Sequence, residues 1–245
     1  MIDKIQSSDN KKFKTWLSLL TSKGIRSEGL FLLSGKKLIE EFLKKPNLEI
    51  VAEISNPKLS PLSSCKSQFE LSTDLFKQLD ELGTHFNILV LKTPSLPSWN
   101  NEMACSGLEI FCPLGDPSNL GALLRSAHGF SASKIILLKE AAHPYLPKSI
   151  KSSAGAVLTA PLYYGPSIKD LNLNTMIALS GTGKDLQQFK WPENVRLLVG
   201  EEGPGFSDLK IHTALSIKTN NIESLNAVVA TAIALYSYRS QHGIK

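Results

Sequence analysis

The chain has 245 residues, of which 42% are hydrophobic and 20% charged, the balance of a folded globular protein rather than a disordered one. It contains no run of about 18 apolar residues and begins without the apolar stretch of a signal peptide, so the sequence predicts a cytoplasmic protein with no membrane span. The three cysteines, Cys65, Cys105 and Cys112, include no C-x-x-C pair. Neither a disulfide framework nor a metal site is therefore expected.

The formal net charge of +5 is concentrated at one end of the chain. Residues 1–45 contain ten Lys and Arg against five Asp and Glu, whereas the remaining residues contain equal numbers of each sign. Contacts of Lys and Arg with phosphates supply the sequence-independent part of nucleic-acid affinity. The distribution favours a polyanionic partner near the N-terminus, although a solvated helix face would carry the same charges.

The first third of the chain alternates helical and strand patterns. Apolar residues recur at helical spacing from Phe13 to Leu20, whereas short apolar runs predict strands. In chain order, the patterns predict a helix at 10–20, a strand at 29–33, a helix at 36–45, a strand at 50–54, a helix at 73–82 and a strand at 88–91. We expect residues 1–93 to form a small α/β domain, followed by a Pro- and Ser-rich linker at 94–106.

The remainder, residues 107–245, is predicted to be a second α/β domain. Strands are predicted at 108–114, 134–138, 160–164, 176–179 and 196–199, and a long apolar helix at 225–238. The continuous apolar runs at 135–138 and 197–199 are typical of strands covered on both faces, as in a parallel sheet flanked by helices.

Three segments of this second domain carry candidate chemistry. Residues 116–127 read as a turn at Asp116-Pro117 followed by a helix from about Asn119, with Arg125 one turn beyond Gly121. Residues 197–206 place three glycines directly after a buried strand, which indicates an unusual backbone or a close ligand. Residues 217–236 place a polar loop before an apolar helix, with Ser224 or Asn226 as its N-cap. Taken singly, each segment could be an ordinary structural connection.

A fourth segment resembles a phosphate-binding loop but lacks its pattern. Residues 180–185, Ser-Gly-Thr-Gly-Lys-Asp, have no first glycine at the required spacing, and Asp185 stands where Ser or Thr would be needed. No nucleotide hydrolase is implied.

In this order, the three segments resemble motifs 1, 2 and 3 of the SpoU (TrmH-like) family of RNA 2′-O-ribose methyltransferases, part of the SPOUT superfamily. The resemblance covers residues 107–238. Residues 26–43 resemble more weakly the N-terminal domain of many members, which is related to small ribosomal RNA-binding proteins. The resemblance implies a mostly parallel sheet tied in a deep trefoil knot, a homodimer, S-adenosylmethionine as cofactor, and structured RNA as substrate. The N-terminal domain favours ribosomal over transfer RNA.

The resemblance also implies residue roles. Arg125 corresponds to the family's catalytic arginine, acting as stabiliser of the developing oxyanion or as proton acceptor. The polar set that accompanies it corresponds to Asn119, Glu202, Ser224 and Asn226. The expected cofactor-binding residues are Gly200, Ile217, Leu225, Leu179 and Gly181.

The sequence departs from the family pattern at Glu201, which adds a second carboxylate, and at Lys218, which stands where Pro is usual. His128, one turn past Arg125, could add an acid–base group. Two other readings stay open, namely methylation of a base nitrogen and a catalytically silent RNA-binding or ribosome-assembly protein.

Overall fold

The computed structural model describes residues 2–200 and 211–243. By its internal contacts the chain divides into two compact units. The first comprises Met1–Ser95 with His143–Ala154, and the second comprises Leu96–Ala142 with Gly155–Lys245. No helix in the described part of the chain is long and apolar enough to cross a membrane.

The first unit contains a five-stranded sheet with helices. Its elements up to Ser95 are β1 (Ile2–Ile5), α1 (Lys11–Ser18), α2 (Ser22–Glu28), β2 (Leu30–Ser34), α3 (Lys36–Lys44), β3 (Ile50–Ser55), β4 (Gln68–Leu71), α4 (Thr73–Leu79) and β5 (Ile88–Lys92). The strand order is β1-β4-β3-β5-β2; β4 pairs in parallel with β1 and β3, and β5 is antiparallel to β3 and β2.

Local sequence explains where these helices begin. The Asn10 side chain accepts hydrogen bonds from the backbone N–H groups of Lys12 and Phe13, so it caps α1. Phe13 and Trp16 then bury the apolar stripe of that helix. Helix α4 begins after Ser72, whose hydroxyl caps it by accepting a hydrogen bond from the Leu75 N–H.

The second unit is built on a six-stranded sheet. The remaining α-helices and strands of the described residues are β6 (Leu108–Cys112), α5 (Pro117–Gly129), β7 (Lys134–Leu137), α6 (Pro147–Ser152, in the first unit), β8 (Leu162–Tyr164), β9 (Ile177–Asp185), β10 (Val195–Leu198), β11 (Thr213–Ser216) and α7 (Ala227–His242). The order is β11-β9-β10-β6-β7-β8, and every pairing is parallel. The predicted parallel sheet is confirmed; the knot, which depends on chain threading, stays a prediction.

The apolar runs behave as their composition predicts. Ile135, Ile136, Leu197 and Leu198 are all fully buried, as expected for central strands covered on both faces. The helix after β6 begins at Pro117, earlier than the predicted Asn119, because the Asp116 carboxylate caps it by accepting from the Asn119 N–H at 2.8 Å.

A buried charge network lies at the amino ends of three neighbouring strands. Glu109 of β6 is fully buried, and its carboxylate lies 2.5 Å from the Lys134 ammonium and 3.2 Å from Nε of Arg196. Arg196 also donates to the Met103 carbonyl and to the Thr175 hydroxyl. The predicted linker segment is thus bonded to the sheet at Met103.

The segment 143–154 packs within the first unit. The ring of Tyr145 stacks on Phe31 at 4.7 Å between centroids, and α6 contacts β2. His143 is buried, and desolvation, followed by the nearby Arg26 charge, lowers its pKa to about 4. Its Nδ1 accepts a hydrogen bond from the Tyr145 N–H at 3.3 Å. His143 is therefore neutral at physiological pH.

Candidate active site

The residues singled out in the sequence follow the carboxyl ends of neighbouring strands. The strands β11, β10 and β6 are followed by Ile217, Gly200 and helix α5, and Leu179 belongs to β9, which lies between β11 and β10. Ligands of parallel α/β sheets bind outside the carboxyl ends of the strands, where loops and helix N-termini converge. This edge of the sheet is therefore the candidate site.

Helix α5 carries the candidate catalytic arginine. Arg125 is exposed and makes no hydrogen bond or ion pair with any residue that the structure describes. Asn119 lies in the first turn of the same helix and is half-buried. His128 lies one turn beyond Arg125, and its Nε2 is 3.3 Å from the Thr159 hydroxyl. A guanidinium without an internal partner is available to an anion or a developing negative charge.

Strand β9 is longer than predicted, because it continues to Asp185 rather than ending at Leu179. It pairs with β11 through residues 177–178 and again through 184–185, but residues 179–183 have no partner on β11. We call residues 179–183 the β9 excursion. Leu179 is buried at its start and Gly181 is exposed at its centre.

Gly183 shows why the excursion needs glycine. Its φ is +148°, and a β-carbon there would lie 2.4 Å from the Ala214 carbonyl oxygen. No other residue could keep that contact without shifting the backbone. The Ser-Gly-Thr-Gly segment is thus a bulge fitted against β11, which is consistent with its failing the phosphate-loop pattern.

The loop before α7 is bonded to the end of β9. Lys218 Nζ lies 2.8 Å from the Asp185 carboxylate, and the Ser216 hydroxyl donates to the Gly183 carbonyl at 3.2 Å. The hydrogen bond to Lys218 lowers the pKa of Asp185, and the same bond raises the pKa of Lys218. A β-carbon on Gly181 would lie 3.9 Å from the Glu223 carbonyl oxygen. The β9 excursion and the loop 217–226 are therefore neighbours.

Asn226 is the N-cap of α7, as one of the two sequence alternatives stated. Its side-chain oxygen accepts from the N–H groups of Val228 and Val229 at 2.9 and 3.4 Å. Ser224 is exposed and bonds to no residue in the described part of the chain, whereas Leu225 and Ile217 are half-buried. Glu201 and Glu202 lie outside the described residues.

The structure brings some of the predicted residues together and leaves others apart. Gly181 and the loop that carries Ser224 adjoin, and α5, which carries Arg125, packs against α7. No hydrogen bond joins Arg125 to Ser224 or Asn226 within the described residues. Sequence reasoning missed Gly183 and the Asp185–Lys218 pair. The close spacing of the glycines at 181 and 183 was a signal for Gly183, but no local pattern predicted the pair between Asp185 and Lys218.

Among residues 2–200 and 211–243, no three His, Cys, Asp or Glu side chains cluster as a metal-ligand set. None of the three cysteines, all within the described residues, forms a disulfide, and burial raises the pKa of the Cys105 thiol, which keeps it protonated.

Comparison with known proteins places this geometry in a family. Residues 110–236 match the model of the SpoU rRNA Methylase family. The chain is 36% identical over 244 residues to a protein of Syntrophobacter fumaroxidans named ribosomal RNA small subunit methyltransferase G 2, covering 96% of this chain but 49% of that relative. It is 29% identical over 250 residues to the 23S rRNA (guanosine(2553)-2′-O)-methyltransferase RlmP of Bacillus subtilis, covering 96% of this chain and 98% of RlmP.

A solved structure shares the fold. The SpoU methyltransferase AviRb of Streptomyces viridochromogenes, crystallised with its cofactor AdoMet, superposes with a TM-score of 0.80 at 22% identity, covering 96% of this chain and all of AviRb. That likeness concerns the fold alone. The family match and the parallel sheet together confirm the resemblance found in the three motifs: the chain belongs to the SpoU rRNA methylase family.

Proposed function

We propose that this protein transfers a methyl group from S-adenosylmethionine to a ribose 2′-hydroxyl of structured RNA, ribosomal rather than transfer RNA. The observation that carries the proposal is Arg125, an exposed guanidinium with no partner in the described chain, on the helix that follows β6 at the ligand-binding edge. Family membership supports methyl transfer to rRNA. The name of the B. subtilis relative supports the ribose oxygen as acceptor.

The cofactor side of the proposal rests on the character of the strand-end loops. Gly181 exposes backbone without a side chain, and Leu179, Ile217 and Leu225 offer apolar surface that is buried or half-buried. Gly200 lies two residues after Leu198, the last residue of β10. Such a mixture of backbone and apolar groups fits an amphipathic nucleoside. When bound, S-adenosylmethionine supplies a methyl group already activated on a sulfonium, so no metal is required.

The acceptor side requires charge stabilisation, because a ribose hydroxyl is only weakly acidic. Arg125 would face the negative charge that develops on the 2′-oxygen, and would hold a neighbouring phosphate. Asn226 uses its carbonyl oxygen to cap α7, which leaves its amide N–H₂ to donate to the ribose. Ser224 and Asn119 would complete the polar set. Positioning of this kind supplies roughly 7–11 kcal/mol in favourable cases.

We infer a homodimer from an apolar stripe on α7. Val229, Ile233 and Tyr236 follow one another at i, i+4 and i+7, and their exposed fractions are 48, 38 and 66%. Three large apolar side chains on one helix face are the pattern of a surface covered by a partner. A second copy is the occupant that family membership favours.

The uneven distribution of Lys and Arg between the two units suggests a different function for each unit. The first unit, with the excess of Lys and Arg, would bind RNA, and the second would carry out the transfer. The boundaries expected from the sequence, residues 1–93 for the RNA-binding domain, 94–106 for the linker and 107–245 for the methyltransferase domain, stay a prediction, and the first compact unit contains residues 143–154 in addition.

Methyl incorporation into unmodified rRNA transcripts tests the proposal. We expect the wild-type protein to bind S-adenosylmethionine in calorimetry and to produce a 2′-O-methylated nucleoside in digests analysed by mass spectrometry. Arg125→Ala should lower kcat by about 10²–10³-fold and leave cofactor affinity unchanged, because the role proposed for Arg125 is at the acceptor oxygen and not at the cofactor. Gln78→Ala, at an exposed helix position in the first unit, is the control.

The outcomes separate the competing readings. A methylated base in the digest would refute ribose as the acceptor, and methylation of tRNA alone would refute the ribosomal substrate. RNA binding without cofactor binding would favour the silent assembly protein. Full activity of Arg125→Ala would remove Arg125 from the mechanism. For the dimer, Tyr236→Glu should convert the sedimenting species to a monomer, and an unchanged mass in the wild-type and variant proteins would contradict the assigned interface.

A further inference from the structure

The first unit contains a groove of about 390 Å³ between its edge strand and the start of its first helix. The residues that matter for its chemistry are the lysines Lys4, Lys11 and Lys12, together with Asp3, Asn10 and Phe69. Strand β1 lies at the end of the five-stranded sheet, with β4 as its neighbour on one side. The groove is thus open and lined by more basic than acidic side chains.

Two of the three lysines have no acidic partner. Lys4 pairs with Glu70 at 3.1 Å, and the adjacent Lys14 pairs with Asp9 at 2.7 Å. Lys11 and Lys12 make no ion pair with any described residue. Lys12 instead lies over the ring of Phe69, with its ammonium 4.1 Å from the centroid. The ring holds this charge in place without neutralising it.

We propose that this groove binds the phosphodiester backbone of the RNA substrate through Lys11 and Lys12. The inference rests on the proposed function, to which it adds the surface that contacts RNA in the first unit. Free ammonium groups are the partners that phosphates require, and they release counterions on binding. Lys4 adds positive charge beside them, whereas Asp3 subtracts one charge from the same groove.

The groove is suited to phosphates rather than bases. Phe69 is 5% exposed and lies beneath Lys12, so its face cannot stack with a nucleobase. The N–H groups of Lys12 and Phe13 at the start of α1 already donate to Asn10, so these helix amides are occupied as well. The two ammonium groups therefore carry the contact, which is independent of RNA sequence.

A purely structural role explains only some of the groove lysines. Lysines on an edge strand prevent two sheets from joining edge to edge. That argument accounts for Lys4, which belongs to β1, but not for Lys11 and Lys12, which belong to α1. The two hypotheses predict different defects when the charges are removed: aggregation in one case and weaker RNA binding in the other.

The experiment compares two double variants of equal charge. Lys11→Gln/Lys12→Gln removes the groove lysines, and Lys44→Gln/Lys45→Gln removes two adjacent exposed lysines at the end of α3. Binding of unmodified 23S rRNA, transcribed in vitro, is measured by filter retention across a salt series. For the groove variant, we expect the plot of log K against log salt to become less steep, with the magnitude of its slope smaller by about 1.4–1.8, because each lost phosphate contact contributes about 0.7–0.9. The control variant should keep the wild-type slope.

Turnover separates this proposal from the proposed function. In the groove variant we expect KM for RNA to rise several-fold, while kcat at saturating RNA and the Kd for S-adenosylmethionine stay at wild-type values. The proposal that the groove binds RNA would be overturned by equal salt slopes for the wild type and the groove variant. It would also be overturned if aggregation were the variant's one defect. The wild-type protein could bind RNA and transfer no methyl group, while the groove variant still shows a smaller salt slope. That result would support RNA binding by the groove and count against the proposed function.

Discussion

The two edges of the six-stranded sheet use charged residues in opposite ways. At the amino edge, Glu109, Lys134 and Arg196 are buried or nearly so and satisfy one another. At the carboxyl edge, Arg125 is exposed and bonds to no described residue. Charged residues therefore stabilise the fold at one edge, whereas at the other edge a charged residue is available to bind a ligand. Internal satisfaction of a charge indicates a structural role, whereas a cation that bonds to no described residue, on the helix that follows a strand, is available to a ligand.

The largest effect should come from the amino edge. Glu109→Ala would leave Arg196 and Lys134 without their counter-charge in a buried place, and breaking a buried pair in this way costs about 3–5 kcal/mol. Urea unfolding monitored by circular dichroism measures the change. Glu70→Ala, which breaks the exposed pair with Lys4, should cost no more than about 1 kcal/mol. Similar losses for both variants would contradict the structural role assigned to the buried charges of the amino edge.

A smaller effect on stability, but a clear one on the site, is expected at Gly183. Gly183→Ala would place a β-carbon against the Ala214 carbonyl, so the β9 excursion must move. We expect the Kd for S-adenosylmethionine to rise at least several-fold. Gly129→Ala is the matched control, because a β-carbon there meets nothing within 4 Å. Unchanged cofactor affinity in Gly183→Ala would show that the excursion does not form the binding surface.

The smallest effect is expected from the pair at the carboxyl edge, in which Lys218 is exposed and Asp185 is half-buried. Lys218→Met should release the loop 217–226 from Asp185 and weaken cofactor binding a few-fold, with little change in unfolding. The reversed pair, Lys218→Asp with Asp185→Lys, should restore part of the affinity. Raising the salt concentration should bring the wild type towards the variant. Acidification should do the same once pH falls through the lowered pKa of Asp185, because protonation removes its charge. A salt-independent defect would assign Lys218 a role other than charge.

The strongly patterned elements could be predicted from the sequence. Continuous apolar runs at 135–138 and 197–199 identified buried parallel strands, and the order of the three motifs identified the family. The short strands β1, β4 and β11 were missed, because four residues are too few to establish an alternating pattern. Helix α2 was missed because Gly24 interrupts its propensity.

The candidate site was predictable in its members but not in its bonds. The polar residues of the three motifs could be named, and Asn226 was one of two candidates for the α7 cap. The contact of Gly183 with Ala214 and the pair between Asp185 and Lys218 join segments far apart in the sequence. Such contacts depend on the order of strands in the sheet, which no local pattern encodes.

The origin of the first unit in two pieces of chain has a consequence for dissecting the protein. Phe31 is fully buried, and Tyr145, from the inserted segment 143–154, stacks on it. A fragment ending at Ser95 would lack Tyr145 and α6 and would expose the Phe31 ring to water. An isolated first unit should therefore be made by fusing residues 1–95 to 143–154 through a flexible connector, not by simple truncation.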